Sequence, residues 1–232
     1  LGNVGCFSFQ SYKMINAGEG GVMITDDADL VARAVIMSGA YEHNWRKHAG
    51  CDPTLAAAFA RHQNQWPLYN LRMSNLSAAV IRPQLPELAR RVRDGRAGHD
   101  HVADRLEDSR WISVPKPLAP ETRAPDSIQF NLIDVNDEQV QAFVRIAKEA
   151  GVTVQVFGMT DNNARAFWNW QFIPNLPELP QTRAMLMRAC DVRLPVHLSR
   201  ATQDRIADIL VQSLEEACAP AKPDDVLLAQ FA

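Results

Sequence analysis

Apolar positions recur along this chain with two periods, and the alternation between them divides it into elements. Residues 4–9 (Val-Gly-Cys-Phe-Ser-Phe) and 21–25 (Gly-Val-Met-Ile-Thr) are short apolar or β-branched runs bounded by Gly, Asn and Asp. Such runs predict strands of a buried sheet. After Thr25, Asp26, Asp27 and Asp29 set acidic residues at a helix start, and Leu30, Ala34 and Met37 follow at helical spacing until Gly39. Residues 40–70 are polar with only 54–62 reading as helix, which predicts a long and functional loop region. From Ser74 a helical pattern runs to about Asp108, interrupted at Pro83 and Pro86 and lined with Arg90, Arg91, Arg93 and Asp94. A helix linking two domains fits this stretch.

The segment 113–126 holds Pro115, Pro117, Pro120 and Pro125 and reads as a linker. Beyond it the pattern becomes α+β. Ile128 to Ile133 reads as a strand, Asn136 and Gln139 make a capping box, and Val140, Phe143, Val144 and Ala147 share one helix face closed by Gly151. Val152, Val154 and Val156 alternate as a strand. A helix around 181–190, a strand at Val192 to Val196 and a helix from Ser199 to about Ala217, with Ile206, Ile209, Leu210 and Leu214 inward, complete the unit.

Composition narrows the function classes. The 232 residues are 47% hydrophobic with a formal net charge of −3, and the charge is mixed along the chain. Aromatics at 7% and the lack of a basic tract exclude a nucleic-acid arm, and the expected partner is a small molecule. No apolar run reaches the length of a membrane span, and no signal-peptide progression is present, so the expected location is the cytoplasm. The cysteines Cys6, Cys51, Cys190 and Cys218 stand far apart without metal-ligand spacing and read as reduced core residues. His99 and His101, two apart on a helix, point to different faces, so no metal site is expected; His197 reads as a satisfied structural histidine.

The stretch from Phe7 to Gly21 carries the chemistry: Lys13 follows an apolar strand bearing Ser8, with Ser11 just beyond, and precedes the turn Gly18-Glu19-Gly20-Gly21. An ε-amine held at a strand end and partly desolvated has the lowered pKa that imine chemistry requires. The alternative is a surface lysine beside a glycine turn. The lysine precedes the glycines, so the spacing matches neither nucleotide-binding loop.

The run Ser8-Phe-Gln-Ser-Tyr-Lys13 with Gly18-Glu-Gly-Gly21 resembles the lysine segment of the DegT-type sugar aminotransferases, fold-type I pyridoxal-phosphate enzymes. Tyr69-Asn70-Leu71-Arg72-Met73-Ser74, continuing through Ala78-Ala79 to Gln84-Leu85, resembles the start of that family's interdomain helix, and Leu194-Pro195-Val196-His197 resembles its C-terminal subdomain. The resemblance implies an α/β fold: the C-terminal part of a fold-type I large domain over 1–74, an interdomain helix over 75–112, and a smaller α+β domain over 113–232. It implies pyridoxal 5'-phosphate as cofactor, with Lys13 forming the Schiff base and moving the proton. It places Ser8 at the cofactor phosphate, or else as a buried strand hydroxyl bonded to backbone. It places Asn70 at the phosphate of the neighbouring subunit's cofactor in a homodimer, or else as a helix cap. Arg72 would meet the same phosphate, a substrate carboxylate or a structural ion pair. Glu19 orders the turn or touches substrate, and Tyr41, His43 and Trp168 are further substrate candidates, Trp168 within an aromatic cluster that could stack on a sugar or base but more often is subdomain core or dimer contact.

The activity implied is transfer of an amino group from glutamate or glutamine to a keto-sugar, often nucleotide-linked, or to a keto-cyclitol. Amino-sugar, cell-surface polysaccharide or antibiotic biosynthesis is the expected setting. Dehydratase-like relatives replace the lysine, and Lys13 is present. A non-catalytic binding or regulatory protein retaining the fold is the alternative. The family's phosphate-clasping helix, pyridine-stacking ring and pyridine-nitrogen carboxylate precede the lysine strand, so the chain is expected to be a fragment that binds cofactor poorly by itself.

Overall fold

The computed structural model describes residues 2–40, 44–50, 52–159 and 163–219. They fall into two compact units, Leu1–Leu88 and Ala89–Ala232.

In the first unit, β1 (Gly5–Ser8) and β2 (Gly21–Ile24) pair antiparallel, with Gly5 opposite Ile24 and Ser8 opposite Gly21. The strands lie where the apolar runs predicted, but they are not buried: Phe7 and Ile24 are each 55% exposed. A two-stranded ribbon has no second layer of its own, so its apolar side chains stay open to solvent. Cys6, expected in a core, is exposed on β1 for the same reason.

Helix α1 (Ala28–Met37) starts where Asp27 accepts the Leu30 N–H. Its buried face is Ala32 and Ile36, not the expected Leu30, Ala34 and Met37, which are half-buried. The face was decided by what packs on it. After the short α2 (Arg46–Ala49), which the sequence did not announce, α3 (Pro53–His62) lies against α1 and is capped by Asp52. Together they enclose Ala32, Ile36, Ala40, Trp45, Ala58 and Phe59. The Trp45 and Phe59 rings stack 4.9 Å apart at 9°. Residues 67–72 then run back along the end of α1, the Tyr69 N–H donating to Met37 O at 2.8 Å and the Leu71 N–H to Ser38 O at 3.1 Å. Helix α4 (Asn75–Ile81), capped by Ser74, tightens into a 3-10 segment over Arg82–Glu87, where Pro83 and Pro86 remove amide donors.

The second unit is built on a four-stranded antiparallel sheet. It comprises β3 (Ile112–Ser113), β4 (Ser127–Leu132), β5 (Gln155–Val156) and β6 (Ala189–Arg193), in the order β3-β4-β6-β5. On β4, Ile128, Phe130 and Leu132 are buried while Gln129 and Asn131 are exposed, the period-two signature of a sheet with one covered face. Helix α5 (Leu88–Leu106) runs into this unit. Helix α6 (Asp137–Glu149) carries the predicted capping box and packs on α8 (Arg200–Cys218), whose buried positions are Gln203, Ala207, Leu210, Ser213 and Leu214. Helix α7 (Pro180–Leu186) is shorter than the stretch expected there.

The valine alternation at 152–156 gives a ladder only at Gln155 and Val156, which pair with Asp191 and Cys190. Val152 and Val154 are buried without joining the ladder. Alternation reports burial, and pairing needs a neighbouring strand as well. Cys190 is buried, as expected, and burial pushes its thiol pKa up to about 12.

Candidate active site around Lys13

The hairpin that holds Lys13 continues past its strands. The Phe9 N–H donates to Gly20 O at 2.8 Å, the Ser11 N–H to Gly18 O at 2.9 Å and the Ala17 N–H to Phe9 O at 2.9 Å. Gly18 and Gly20 take φ of +82° and +143°, conformations that need glycine, which is why this turn is glycine-rich. Residues 10–13 close a turn through the Lys13 N–H on Gln10 O at 2.8 Å. Lys13 therefore sits at the tip of a loop, five residues past β1, rather than at the strand end.

The Lys13 side chain is exposed, and its ammonium has no hydrogen bond or ion pair among the described residues. The desolvation that the sequence reading expected around the amine is not supplied by this chain's own packing. The tip is held by polar contacts instead. Asn16 donates from Nδ2 to Lys13 O at 3.2 Å, and both backbone groups of Asn16 meet one side chain, Gln84.

Ser8 is exposed at the end of β1, where its Oγ accepts from the Gln10 N–H at 3.2 Å. The bond is to backbone, as in the alternative reading, but the hydroxyl is exposed rather than buried, and its proton is left to donate. Asn70 is exposed with no side-chain hydrogen bond among the described residues, and Ser74, not Asn70, caps α4. Arg72 donates from Nη1 to Gly39 O at 2.9 Å, so it braces the end of α1 through a carbonyl. Glu19 is exposed and has no hydrogen bond among the described residues. Tyr41 and His43 lie outside the described residues.

Trp168, in the second unit, is half-buried, with Phe167 edge-on at 5.2 Å and the Arg183 guanidinium 4.5 Å over its ring. Phe172 is 77% exposed, so the cluster is not core. His197 is exposed and makes no hydrogen bond among the described residues, against the expectation of a satisfied histidine. A cavity of about 490 Å³ in this unit is lined by His99, Glu121, Arg123, Ser127 and Gln129, and none of the candidate residues lines it.

Two arrangements were missed by the sequence reading. One is the Gln84 contact, whose only trace in the sequence is the Gln84-Leu85 pair. The other joins α1 to α3: Asp29 accepts from Arg61 at 2.7 Å and meets His62 Nε2 at 2.8 Å. His62 Nδ1 accepts from Trp66 Nε1–H at 3.3 Å. With Nδ1 accepting, Nε2 carries the proton and donates to Asp29. The Arg61 guanidinium first, and then His62, hold the Asp29 carboxyl below its ordinary pKa. Nothing in residue type or spacing announced a contact across that interval.

Solved aminotransferase structures share the fold of this chain. The aminotransferase TlmJ of Streptoalloteichus hindustanus superposes with a TM-score of 0.73 at 17% identity, covering 94% of this chain and 53% of that one. PseC of Helicobacter pylori, an aminotransferase of pseudoaminic acid biosynthesis, gives 0.74 at 13% identity, covering 92% of this chain and 54% of its own. The Escherichia coli GDP-4-keto-6-deoxy-D-mannose-3-dehydratase with bound hydrated pyridoxal phosphate gives 0.69 at 16% identity, with 90% and 54% covered. The chain belongs to the DegT/DnrJ/EryC1/StrS aminotransferase family, whose pattern it matches over residues 1–211. Over 111 residues, 46% of this chain, it is 33% identical to 24% of the L-glutamine:scyllo-inosose aminotransferase of Streptomyces griseus. The chain spans about half the length of those solved structures.

Among the described residues no helix is long and apolar enough to cross a membrane, and no group of three or more His, Cys, Asp or Glu side chains is placed to hold a metal.

Proposed function

We propose that Lys13 is the cofactor-anchoring amine of a pyridoxal-phosphate-dependent aminotransferase that moves nitrogen from glutamate or glutamine to a keto-sugar or keto-cyclitol. The observation that carries this reading is an unpaired amine at the tip of a braced hairpin loop, in a chain that matches the family over residues 1–211. The donor set fits the cofactor: an amine for its aldehyde, and for its phosphate the Ser8 hydroxyl and the Asn70 carboxamide, neither of which spends a hydrogen on another described residue.

When bound, pyridoxal phosphate supplies an aldehyde that takes up an amine and a conjugated ring that spreads negative charge. Lys13 would hold it through Nζ; once the donor's amine had taken that place, Nζ would be a free base able to accept a proton from the donor carbon and deliver it to the carbon that carried the aldehyde. Ser8 Oγ–H donates to the phosphate. Asn70 Nδ2–H donates to the phosphate held by a second copy of the chain, which makes the working form a homodimer. Arg72, fixed to Gly39, meets the phosphate or the donor's carboxylate, and Glu19, Tyr41, His43 and Trp168 are the substrate-contact candidates.

Residues 1–74 belong on this reading to the cofactor-binding domain, 75–112 to the connecting helix and 113–232 to the small domain, in a cytoplasmic enzyme of amino-sugar or aminocyclitol biosynthesis. The likeness to the scyllo-inosose enzyme supports a cyclitol-type acceptor, and the sugar aminotransferases among the solved structures support a keto-sugar.

The test is to incubate the protein with pyridoxal phosphate, reduce it with borohydride and map the adduct. The expected outcome is a label on Lys13 that Lys13→Arg abolishes, with donor-dependent loss of the visible band before reduction. A protein labelled elsewhere, or not at all, overturns the reading. Labelling at Lys13 without any response to glutamate or glutamine identifies a binding protein instead.

A further inference from the structure

The tip of the lysine loop is fastened by a side chain 68 positions along the chain. Gln84 Oε1 accepts from the Asn16 N–H at 3.3 Å, and Gln84 Nε2 donates to Asn16 O at 2.7 Å. One carboxamide thus takes both backbone groups of one residue, as a neighbouring strand would. The second hydrogen on Nε2 goes to Val80 O at 2.9 Å, so the amide is held from the preceding helix α4 as well. A flip of the amide would set oxygen against the carbonyls of Asn16 and Val80, so the network permits one orientation.

Asn16 passes this constraint on through Nδ2 to Lys13 O, at 3.2 Å. The chain of contacts is Gln84, the backbone of Asn16, the side chain of Asn16, the backbone of Lys13. The Lys13 N–H bond to Gln10 O, the Tyr12 N–H bond to Gln10 Oε1 at 3.0 Å and the burial of Ile15, which is 7% exposed, act beside it. The three bonds at the base of the loop hold residues 9, 11, 17, 18 and 20, and Gln84 acts beyond them, at Asn16.

We propose that Gln84 is a positioning residue for Lys13: its carboxamide clamps the lysine loop onto the 3-10 segment that follows α4 and so fixes where the anchoring amine stands. The proposal rests on the reading of Lys13 as that amine, and it adds a residue that touches neither cofactor nor substrate. A flexible lysine side chain on a loose loop samples many positions. Catalysis needs the amine held close to one, because small displacements of a reacting group cost large factors in rate. The clamp supplies that restriction where burial does not.

Two variants separate the bonds. Gln84→Met removes both Asn16 contacts at nearly constant volume. Gln84→Glu at neutral pH keeps the acceptor for the Asn16 N–H and loses the donor to Asn16 O. The first readout needs no cofactor: native-state cleavage after Lys13 by a lysine-specific protease, assigned by mass. Loss of two ordinary hydrogen bonds raises it about tenfold in Gln84→Met, with Gln84→Glu between that and the parent.

The second readout is the borohydride-fixed label on Lys13 at limiting pyridoxal phosphate, together with the pH midpoint of the cofactor's visible band. Gln84→Met is expected to lower the label about tenfold and shift the midpoint, and to reduce kcat while the KM for the amino donor stays within about twofold. A merely structural role would lower the melting temperature and leave the midpoint in place. Cleavage and labelling both within about twofold of the parent in Gln84→Met overturn the clamp. If the parent protein takes no label on Lys13, the aminotransferase reading fails, and the cleavage ratio alone then decides whether Gln84 holds the loop.

Discussion

Among the described residues, 21 buried ones form one cluster in the second unit, running from Val102 on α5 through the sheet to Leu214 on α8, whereas six gather around Trp45 and Phe59 in the first. The first unit also leaves Phe7, Tyr12, Ile24, Leu71 and Leu76 between 55% and 77% exposed. The difference shows two ways of fixing a residue. In the second unit position follows from packing, because a close-packed interior admits few arrangements. Around Lys13 position follows from hydrogen bonds: a backbone ladder below the loop, the Gln84 clamp at its tip, and the Arg72 bond to Gly39. The unit that carries the candidate chemistry is the one with less packing to hold it.

That contrast breaks most readily in the second core. Phe143 is fully buried and meets Phe130 edge-on at 6.5 Å. Phe143→Ala is expected to lose about 3–5 kcal/mol in denaturant unfolding. A loss under about 1 kcal/mol would show that this core is not the close-packed one described.

Alkaline pH tests the same core. The Cys190 thiol is raised from 9.0 to about 12 by burial, so the unfolded chain loses its proton first. Stability contributed by the buried thiol is complete below about pH 9 and declines as pH rises toward 12, at up to about 1.4 kcal/mol per pH unit. Unfolding free energies measured across that range should fall more steeply in the parent than in Cys190→Ala, and parallel curves would refute the assignment. At neutral pH, a thiol reagent should modify exposed Cys6 well before Cys190.

In the first unit the sensitive point is a backbone approach. Gly39 has φ +112°, and a Cβ there would stand 2.5 Å from Tyr69 O. Gly39→Ala is expected to cost about 1–3 kcal/mol and to speed hydrogen exchange at the Tyr69 and Leu71 amides, which bond to the end of α1. Unchanged exchange would mean that residues 67–72 do not depend on that close approach.

A smaller effect belongs to the capping box of α6. Asn136→Ala removes the acceptor for the Gln139 N–H at 2.9 Å and should cost about 1 kcal/mol in thermal or denaturant unfolding. The smallest belongs to the exposed ribbon. Phe7→Ser, at a side chain 55% exposed, should stay within about 0.5 kcal/mol of the parent in the 232-residue chain. A loss comparable to that of Phe143→Ala would show that the ribbon is packed after all.

Local patterns determined most elements of this protein. The Asn136–Gln139 box, the Ser199 cap, the alternation of Ile128, Phe130 and Leu132, and the glycine turn after Lys13 each act within a few residues, where spacing in sequence equals spacing in space. The proposal for the lysine rests on a motif of adjacent residues. Tertiary structure decided what depends on distant partners: that β1 and β2 form a ribbon with open faces, that Ala32 and Ile36 are the buried face of α1, that Val154 is buried without pairing, and that Asn16 is clasped by Gln84. Each required two segments far apart in the chain to meet, and a hydrogen bond or a buried face has no trace in either segment read alone.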